Sequence, residues 1–235
     1  MPPAFVLVHG AWAGAHGFRK LRPLLTAEGY EVFTPSLTGI GERVHLTGPQ
    51  VDLTTHVTDV VNQVLYEDLD KIVLLGFSYG GMVVTGALEH IADRVRHLVY
   101  LDAFVPADGE SVASLTGGQS GRSIELGAGW QVDGPSRAYE HEGDAEWFGA
   151  RRVAQPARCF TEPVRLERPL EEFPFTRTYV KAAADEPGAP GNPAFLTAAE
   201  HARESAAWDY REIDTTHLVP INRPGELAAI LFGLA

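Results

Sequence analysis

The chain has 235 residues, 45% of them hydrophobic and 21% charged, which is typical of one folded domain and excludes a disordered chain. Its formal net charge of −12 argues against a nucleic acid or an anionic membrane surface as a partner. Cys159 is the single cysteine, so no internal disulfide can form and nothing favours an oxidising compartment. The sequence also lacks a signal-peptide pattern and any apolar run of membrane-spanning length. We therefore expect a cytoplasmic protein.

The first half of the chain alternates short apolar strands with amphipathic helices. The strands are predicted at residues 4–8, 30–35, 72–75 and 96–104. The helices between them are predicted at residues 18–29, 52–69 and 82–91. Residues 36–50 are rich in Gly and Thr and are interpreted as a solvated loop.

The second half begins with a stretch of different character. Residues 106–174 are rich in Gly, Pro, Arg and Glu and contain no apparent buried strand, which favours an inserted cap over a second domain. Strands at residues 175–183 and 208–213 and helices at residues 194–207 and 224–235 then resume the earlier pattern. Alternating strands and helices predict a mostly parallel sheet, so we expect one α/β domain with a core at residues 1–105 and 175–235.

The segment IVLLGFSYGGM, residues 72–82, contains the G-x-S-x-G pattern between a buried strand and a helix. This context is typical of a nucleophile elbow, a tight turn that presents a serine hydroxyl at the top of the sheet. Gly76 and Gly80 would allow strand and helix to approach closely, and Ser78 would be the nucleophile. The alternative is a glycine-rich turn whose serine only caps the helix.

Four ionisable or nucleophilic residues follow predicted strands, at the edge where ligands bind in parallel sheets: Ser78, Asp102, Asp185 and His217. A serine hydroxyl needs a base within hydrogen-bonding reach, and His217 is the best candidate. The imidazole in turn needs a carboxylate, which either Asp185 or Asp102 could supply. We favour Asp185 because it follows the penultimate strand, the usual position of the acid in this architecture.

A second group of residues could stabilise an oxyanion. The backbone N–H groups of Tyr79, at a helix N-terminus, and of Ala11, in the glycine-rich loop after the first strand, are the candidate donors. Gly10 and Trp12 lie in the same loop and are candidate substrate contacts. We interpret His9 as a structural residue that holds this loop. Neither a metal-ligand spacing nor a cofactor fingerprint is present, so no cofactor and no metal are expected.

Five segments resemble the α/β-hydrolase superfamily: FVLVHGAW (5–12), GFSYGG (76–81), VYLDAFVP (99–106), TYVKAAADE (178–186) and THLVPINRPGELA (216–228). Within it, the chain is similar to the small-cap branch that includes plant methylesterases, hydroxynitrile lyases and related bacterial esterases. The resemblance implies an α/β-hydrolase fold and a triad of Ser78, Asp185 and His217, with Ala11 and Tyr79 as oxyanion donors. Hydroxynitrile lyases carry a lysine directly after the histidine, whereas this chain has Leu218, which argues against cyanohydrin cleavage.

These observations predict a serine hydrolase that cleaves a small apolar or aromatic carboxylic ester through an acyl-enzyme. Gly10, Trp12 and Leu218 are the predicted substrate contacts. An epoxide hydrolase or a dehalogenase would need an aspartate in place of Ser78. Two alternatives remain open: a lyase or cyclising enzyme that reuses the triad, and a ligand receptor built on a disabled hydrolase. The expected partner is a small-molecule substrate, and a homodimer is compatible with the sequence.

Overall fold

The computed structural model of the chain describes residues 3–117, 129–184 and 191–235. Its strands are β1 (Phe5–Val8), β2 (Val32–Phe33), β3 (Ile72–Phe77), β4 (Val95–Leu101), β5 (Gln131–Val132), β6 (Gln155–Pro156), β7 (Thr176–Ala182) and β8 (Asp209–Ile213). Six of them form one sheet in the order β2-β1-β3-β4-β7-β8, and every neighbouring pair in it is parallel. The expectation of a mostly parallel sheet is therefore confirmed.

The described residues form nine α-helices: α1 (Arg22–Ala27), α2 (Leu53–Tyr66), α3 (Gly80–Ile91), α4 (Val112–Leu115), α5 (Glu142–Gly149), α6 (Arg158–Thr161), α7 (Pro193–Glu204), α8 (Val219–Asn222) and α9 (Pro224–Phe232). Short 3-10 helices lie at Ala15–Phe18, Gly41–Leu46, Ala92–Arg94 and Leu170–Glu172. Helix α2 begins with a capping box, in which the Asp52 carboxylate accepts from Thr55 N.

The sheet separates two hydrophobic cores, because successive side chains of a strand point to opposite faces. One core contains Val6 of β1 and Leu74 of β3, packed with α2, α3 and α7. The other contains Leu7 of β1 and Leu75 of β3, packed with α1 and α9. Strands buried on both faces read as continuous apolar runs, which explains why β1 and β3 were recognisable in the sequence.

Two predicted elements of the first half are shorter than expected. The helix predicted at residues 18–29 is α1 (Arg22–Ala27), and the chain before it forms the 3-10 helix Ala15–Phe18. Gly29, with φ of +84°, follows the end of α1 in the left-handed conformation that glycine adopts without strain. The strand predicted at residues 30–35 keeps only the two residues of β2, at the edge of the sheet.

The segment between β4 and β7 contains the antiparallel pair β5–β6 and the helices α4, α5 and α6. The sequence indicated no buried strand here, but both residues of the two-residue strand β6 are buried, and so short a strand leaves no periodic pattern. Ion pairs among the described residues tie this segment to the rest of the chain. Lys20 Nζ lies 2.7 Å from Asp144 Oδ2, Arg223 Nη1 lies 2.6 Å from Glu140 Oε2, and Arg158 Nη2 lies 3.2 Å from Asp52 Oδ2.

Candidate active site

Strand β3 and helix α3 meet at Ser78 in a sharp turn. The φ of Ser78 is +56°, a left-handed conformation that costs a non-glycine residue free energy. A Cβ on Gly76 would lie 2.7 Å from Gly80 O, and one on Gly80 would lie 2.5 Å from Val8 O. Only glycine fits at either position, and the turn has the geometry of a nucleophile elbow.

Ser78, His217 and Asp102 form a continuous hydrogen-bonded chain. His217 Nε2 lies 3.0 Å from Ser78 Oγ, and His217 Nδ1 lies 2.7 Å from Asp102 Oδ2. The rings of Phe77 and Phe195 stack on the imidazole, with centroids 4.9 and 5.4 Å away. With Nδ1–H donated to the carboxylate, Nε2 is free to accept the serine proton, as general-base catalysis requires.

Asp102 is the carboxylate that the described part of the structure places on His217. Nδ1 carries one proton and Asp102 Oδ2 accepts it at 2.7 Å, which favours Asp102 over Asp185, the residue that we expected. Asp102 follows β4 with φ of +40°, and its N–H donates to Val180 O at 2.8 Å. Asp185 itself lies outside the described residues.

A lysine that the sequence analysis did not single out contacts the same carboxylate. Lys181 Nζ on β7 donates to Asp102 Oδ1 at 2.8 Å and to Ala182 O at 2.5 Å. Burial works to raise the pKa of Asp102, but the hydrogen bond and charge of His217, and then Lys181, outweigh it. The pKa of Asp102 therefore lies below its ordinary value, and the carboxylate stays ionised beside the imidazole. A lysine inside a strand gives no sequence signal for such a role.

The loop after β1 is held by His9, as predicted. Leu37 N donates to His9 Nε2 at 3.1 Å, which leaves Nδ1–H to donate to Gly10 O at 2.9 Å. Burial lowers the pKa of His9 to about 4, so the ring is neutral at pH 7. Ala11, one residue further on, lines the same cavity as Ser78 and Tyr79.

The side chain of Tyr79 anchors the other half of the turn. Its hydroxyl lies 3.0 Å from His56 Nδ1, and His56 Nε2 lies 2.8 Å from Thr38 O. Since a carbonyl can only accept, Nε2 carries the proton and Tyr79 donates to Nδ1. Burial lowers the pKa of His56 to about 4. His56 is therefore a core residue with both ring nitrogens hydrogen-bonded.

Two cavities meet at Ser78 and His217. The larger cavity has a volume of about 190 Å³, and its wall carries Trp12, Phe104, Phe160 and Phe195 together with Lys181 and Asn192. The smaller cavity has a volume of about 60 Å³ and is lined by His16, Phe148, Leu218 and Ile221, among others. Both cavities include Ala11, Trp12 and Arg137 in their walls.

The three predicted substrate contacts lie beside these cavities. Gly10 and Leu218 line the smaller cavity, and Trp12 separates it from the larger one. A Cβ on Gly10 would lie only 3.0 Å from Ser78 Cβ, so glycine keeps the space beside the nucleophile open. Leu218 packs with Phe148 and Ile221 and makes this wall apolar.

A family model described as the alpha/beta hydrolase family matches residues 5–230. The chain belongs to this family. Membership agrees with the fold and with the resemblance found in the sequence. The three hydrogen-bonded side chains of this alpha/beta hydrolase follow three different strands: Ser78 follows β3, Asp102 follows β4, and His217 follows β8.

Relatives of this alpha/beta hydrolase include bacterial and plant esterases. A carbendazim hydrolyzing esterase of Nocardioides sp. (strain SG-4G) is 34% identical over 98% of both chains. A pyrethroid hydrolase of Sphingobium wenxiniae is 37% identical over 44% of this chain and 37% of its own length. Methylesterase 1 of Arabidopsis thaliana is 32% identical over 43% of this chain and 40% of its own length.

Solved structures of other alpha/beta hydrolases share the fold over the whole chain. An extracellular alpha/beta-hydrolase from a Paenibacillus species superposes with a TM-score of 0.81 at 23% identity, covering 100% of this chain and 99% of its own. A methylesterase from Arabidopsis gives a TM-score of 0.78 at 24% identity, covering 99% of this chain and 98% of its own.

The expectation of an ester-cleaving serine hydrolase is confirmed at the level of reaction class by the family, its relatives and the triad geometry. Small molecules are the substrates of such enzymes. Within residues 3–117, 129–184 and 191–235, no helix combines the length and apolar character needed to cross a membrane.

Proposed function

We propose that the protein hydrolyses carboxylic esters with Ser78 as nucleophile, His217 as general base and Asp102 as the triad acid. The observation that carries this proposal is the continuous path from Ser78 Oγ to His217 Nε2 at 3.0 Å and from His217 Nδ1 to Asp102 Oδ2 at 2.7 Å. The left-handed Ser78 supports it further, because strained backbone of this kind clusters at active sites.

The reaction proceeds in two steps. His217 takes the proton of Ser78 Oγ as it attacks the ester carbonyl, and then gives that proton to the departing alcohol. Ala11 N–H and Tyr79 N–H stabilise the oxyanion of each tetrahedral intermediate. Water, deprotonated by His217, attacks the acyl-enzyme, and His217 returns the proton to Ser78 Oγ as the acid is released. Asp102 holds the ring in the required tautomer and stabilises the imidazolium.

We further propose how an ester lies across the site. The larger cavity, with its aromatic walls, suits an apolar or aromatic acyl group, and the smaller one, at about 60 Å³, suits a small alkoxy group. The name of Methylesterase 1, one of the relatives, agrees with a small alkoxy group. Residues 106–174 would act as the cap, since Pro135, Arg137 and Phe160 line the larger cavity.

Substitution of the nucleophile tests the proposal. We expect Ser78→Ala to abolish hydrolysis of p-nitrophenyl and methyl esters while the melting temperature stays within a few degrees of wild type. An alkyl fluorophosphonate should label the wild type at Ser78, as read by peptide mass spectrometry. Ser205→Ala, a change at the end of α7, is the matched control and should keep full activity.

Either of two results would overturn the proposal: full esterase activity in Ser78→Ala, or labelling at a residue other than Ser78. The same ester panel, graded by acyl and alkoxy size, tests the assignment of the cavities. The cytoplasmic location and a homodimer stay predictions.

A further inference from the structure

Trp12 is held by the cap through three hydrogen bonds. Its backbone N–H donates to Gln155 Oε1 at 3.0 Å, and its carbonyl accepts from Val153 N at 3.1 Å. Its indole Nε1–H donates to Val132 O at 2.8 Å. All three partners lie on or beside the antiparallel pair β5–β6, more than 100 residues further along the chain. The loop after β1 is thus held in place by hydrogen bonds to a distant segment of the chain.

The backbone of Trp12 would not adopt its conformation without such support. Its φ is +59°, a left-handed value that a bulky side chain disfavours. Strained residues of this kind persist when several surrounding contacts determine their geometry together. The three hydrogen bonds from the β5–β6 pair and its flank are those contacts, and the bond from Trp12 N–H to Gln155 is the one that a side chain supplies.

Gln155 is fully buried, with 0% of its surface exposed. Its Oε1 accepts from Trp12 N, whereas its Nε2 has no hydrogen-bond partner among the described residues. A buried amide with one half unpaired is unfavourable for folding, and an apolar side chain would pack in the same place without that cost. The hydrogen bond from Trp12 N–H, together with a side-chain contact to the Cys159 thiol, accounts for a glutamine here.

The peptide plane between Ala11 and Trp12 carries the Trp12 N–H, which donates to Gln155 Oε1. Fixing this plane fixes ψ of Ala11, and the adjoining plane carries the N–H of Ala11, a residue that lines the larger cavity with Ser78. His9 holds the other end of the same loop through Gly10 O. The candidate oxyanion donor therefore lies between two buried anchors, one in the sheet domain and one in the cap.

We propose that Gln155 is a positioning residue for ester hydrolysis, which orients Ala11 N–H for the oxyanion by accepting a hydrogen bond from Trp12 N–H. The inference rests on the proposed function, since it assigns Ala11 to the oxyanion hole. The charge that this donor meets develops only in the transition state, so the residue acts on kcat rather than on substrate binding. Loss of an oxyanion donor costs roughly 10²–10³-fold in kcat, and its misalignment costs less, about 10-fold.

Three variants of Gln155 separate positioning from packing. Gln155→Met keeps the volume but removes the acceptor, and Gln155→Asn keeps the amide on a side chain one methylene shorter. Both should lower kcat about 10-fold with KM within about twofold of wild type. Gln155→Glu keeps an acceptor oxygen at the original reach, ionised or protonated, and should recover most of kcat. Gln131→Met, in the paired strand β5, is the matched control and should behave as wild type.

A trifluoromethyl ketone that mimics the tetrahedral intermediate supplies an independent readout. Its inhibition constant should rise in Gln155→Met and Gln155→Asn by the same factor by which kcat/KM falls. Unchanged kcat in both variants would overturn the positioning role, as would a Gln155→Glu variant no more active than Gln155→Met. Should the wild type itself resist phosphonate labelling and cleave no ester, the proposed function has failed instead.

Discussion

At the scale of single residues, Asp102 is the carboxylate that accepts the hydrogen bond from His217 Nδ1. Asp102 and Asp185 both follow strands of the sheet, and a linear sequence cannot say which carboxylate reaches the ring. In the structure β4 pairs with β3, so the ends of the strands that precede Ser78 and Asp102 lie side by side. Lys181, from the next strand, then compensates the buried charge of Asp102.

Substituting the two aspartates separately tests this assignment. We expect Asp102→Asn to lower kcat by about 10⁴-fold, the scale found when a triad carboxylate is neutralised, because the ring loses its required tautomer. Asp185→Asn is the matched control and should change kcat by less than about tenfold. Steady-state kinetics on a p-nitrophenyl ester, with melting temperatures measured alongside, decide between them. The reverse order of effects would return the acid role to Asp185.

Leu218 is the residue that argues against a lyase. It lines the smaller cavity beside His217 and packs against Phe148, so it offers a departing cyanide no charge and no hydrogen-bond donor. We expect no cleavage of mandelonitrile above background in the wild type, alongside clear esterase turnover. Leu218→Lys should raise KM for esters with apolar alkoxy groups by about 10-fold, because a charged group replaces part of the apolar wall.

Cyanohydrin cleavage is followed by aldehyde release and ester hydrolysis by nitrophenolate absorbance, and Leu196→Lys, an exposed position on α7, serves as the control. Efficient cleavage of mandelonitrile by the wild type would contradict the argument. An unchanged ester KM in Leu218→Lys would show that this wall does not contact substrate.

At the level of elements, the contact between α3 and the chain after β4 brings the nucleophile and the acid together. Phe104 N donates to Ser78 O at 3.2 Å, and Ser78 N donates to Leu101 O at 3.1 Å. A Cβ on Gly81 of α3 would lie 2.0 Å from Phe104 O. Backbone meets backbone there, so a side chain at this position must force the two elements apart.

We expect Gly81→Ala to lower the free energy of unfolding by about 3 kcal/mol, because the added methyl collides with a backbone carbonyl that cannot rotate away. Esterase activity should fall with it, since Ser78 and Asp102 move apart. Gly149→Ala is the matched control: nothing lies within 4 Å of its added Cβ, and in α5 alanine should be neutral or stabilising. Urea unfolding measures both, and equal stability of the two variants would contradict the packing argument.

At the scale of the whole molecule, stability depends on buried histidines. Burial is the main cause that lowers the pKa of His9, His56 and His97 to about 4 in the folded chain. An unfolded histidine titrates near pH 6.5, so between pH 6.5 and 4 the unfolded state binds more protons. The free energy of unfolding must therefore fall as the pH is lowered through this window, before most carboxylates titrate.

His97 allows this to be measured away from the active site. His97 lies near the start of β4 and is hydrogen-bonded to Thr176 and Thr178 of β7. Between pH 7 and 5, we expect the free energy of unfolding of His97→Gln to fall by about 1 kcal/mol less than that of the wild type. The reason is that one titrating group is absent. Urea unfolding at both values gives the difference, whatever the absolute stability of the variant. The exposed His90→Gln is the control, and a wild-type slope in His97→Gln would refute the account.

The fold was predictable because β1, β3 and β4 are apolar runs and α2 and α3 are periodic, so each element carries its own signal. Ser78 and His217 were found because a turn motif and a strand end mark them. The contacts of Lys181 and Gln155 were missed, because they join residues about 80 and 140 positions apart and no local pattern records them. For the same reason, our choice between Asp102 and Asp185 as the acid had no local signal to rest on.

The position of Asp102 has a consequence for how the chain could be divided. Ser78 and Asp102 belong to one β3–α3–β4 unit, and His217 comes from the other end of the chain. A break in the exposed turn at residues 107–109 would leave the nucleophile, the acid and both oxyanion residues on one fragment and the imidazole on the other. The fragment that contains Ser78 lacks His217, and the other fragment lacks Ser78. Hydrolysis would therefore begin only when the two fragments reassemble. The protein therefore suits use as a split reporter, because we expect neither fragment alone to hydrolyse esters.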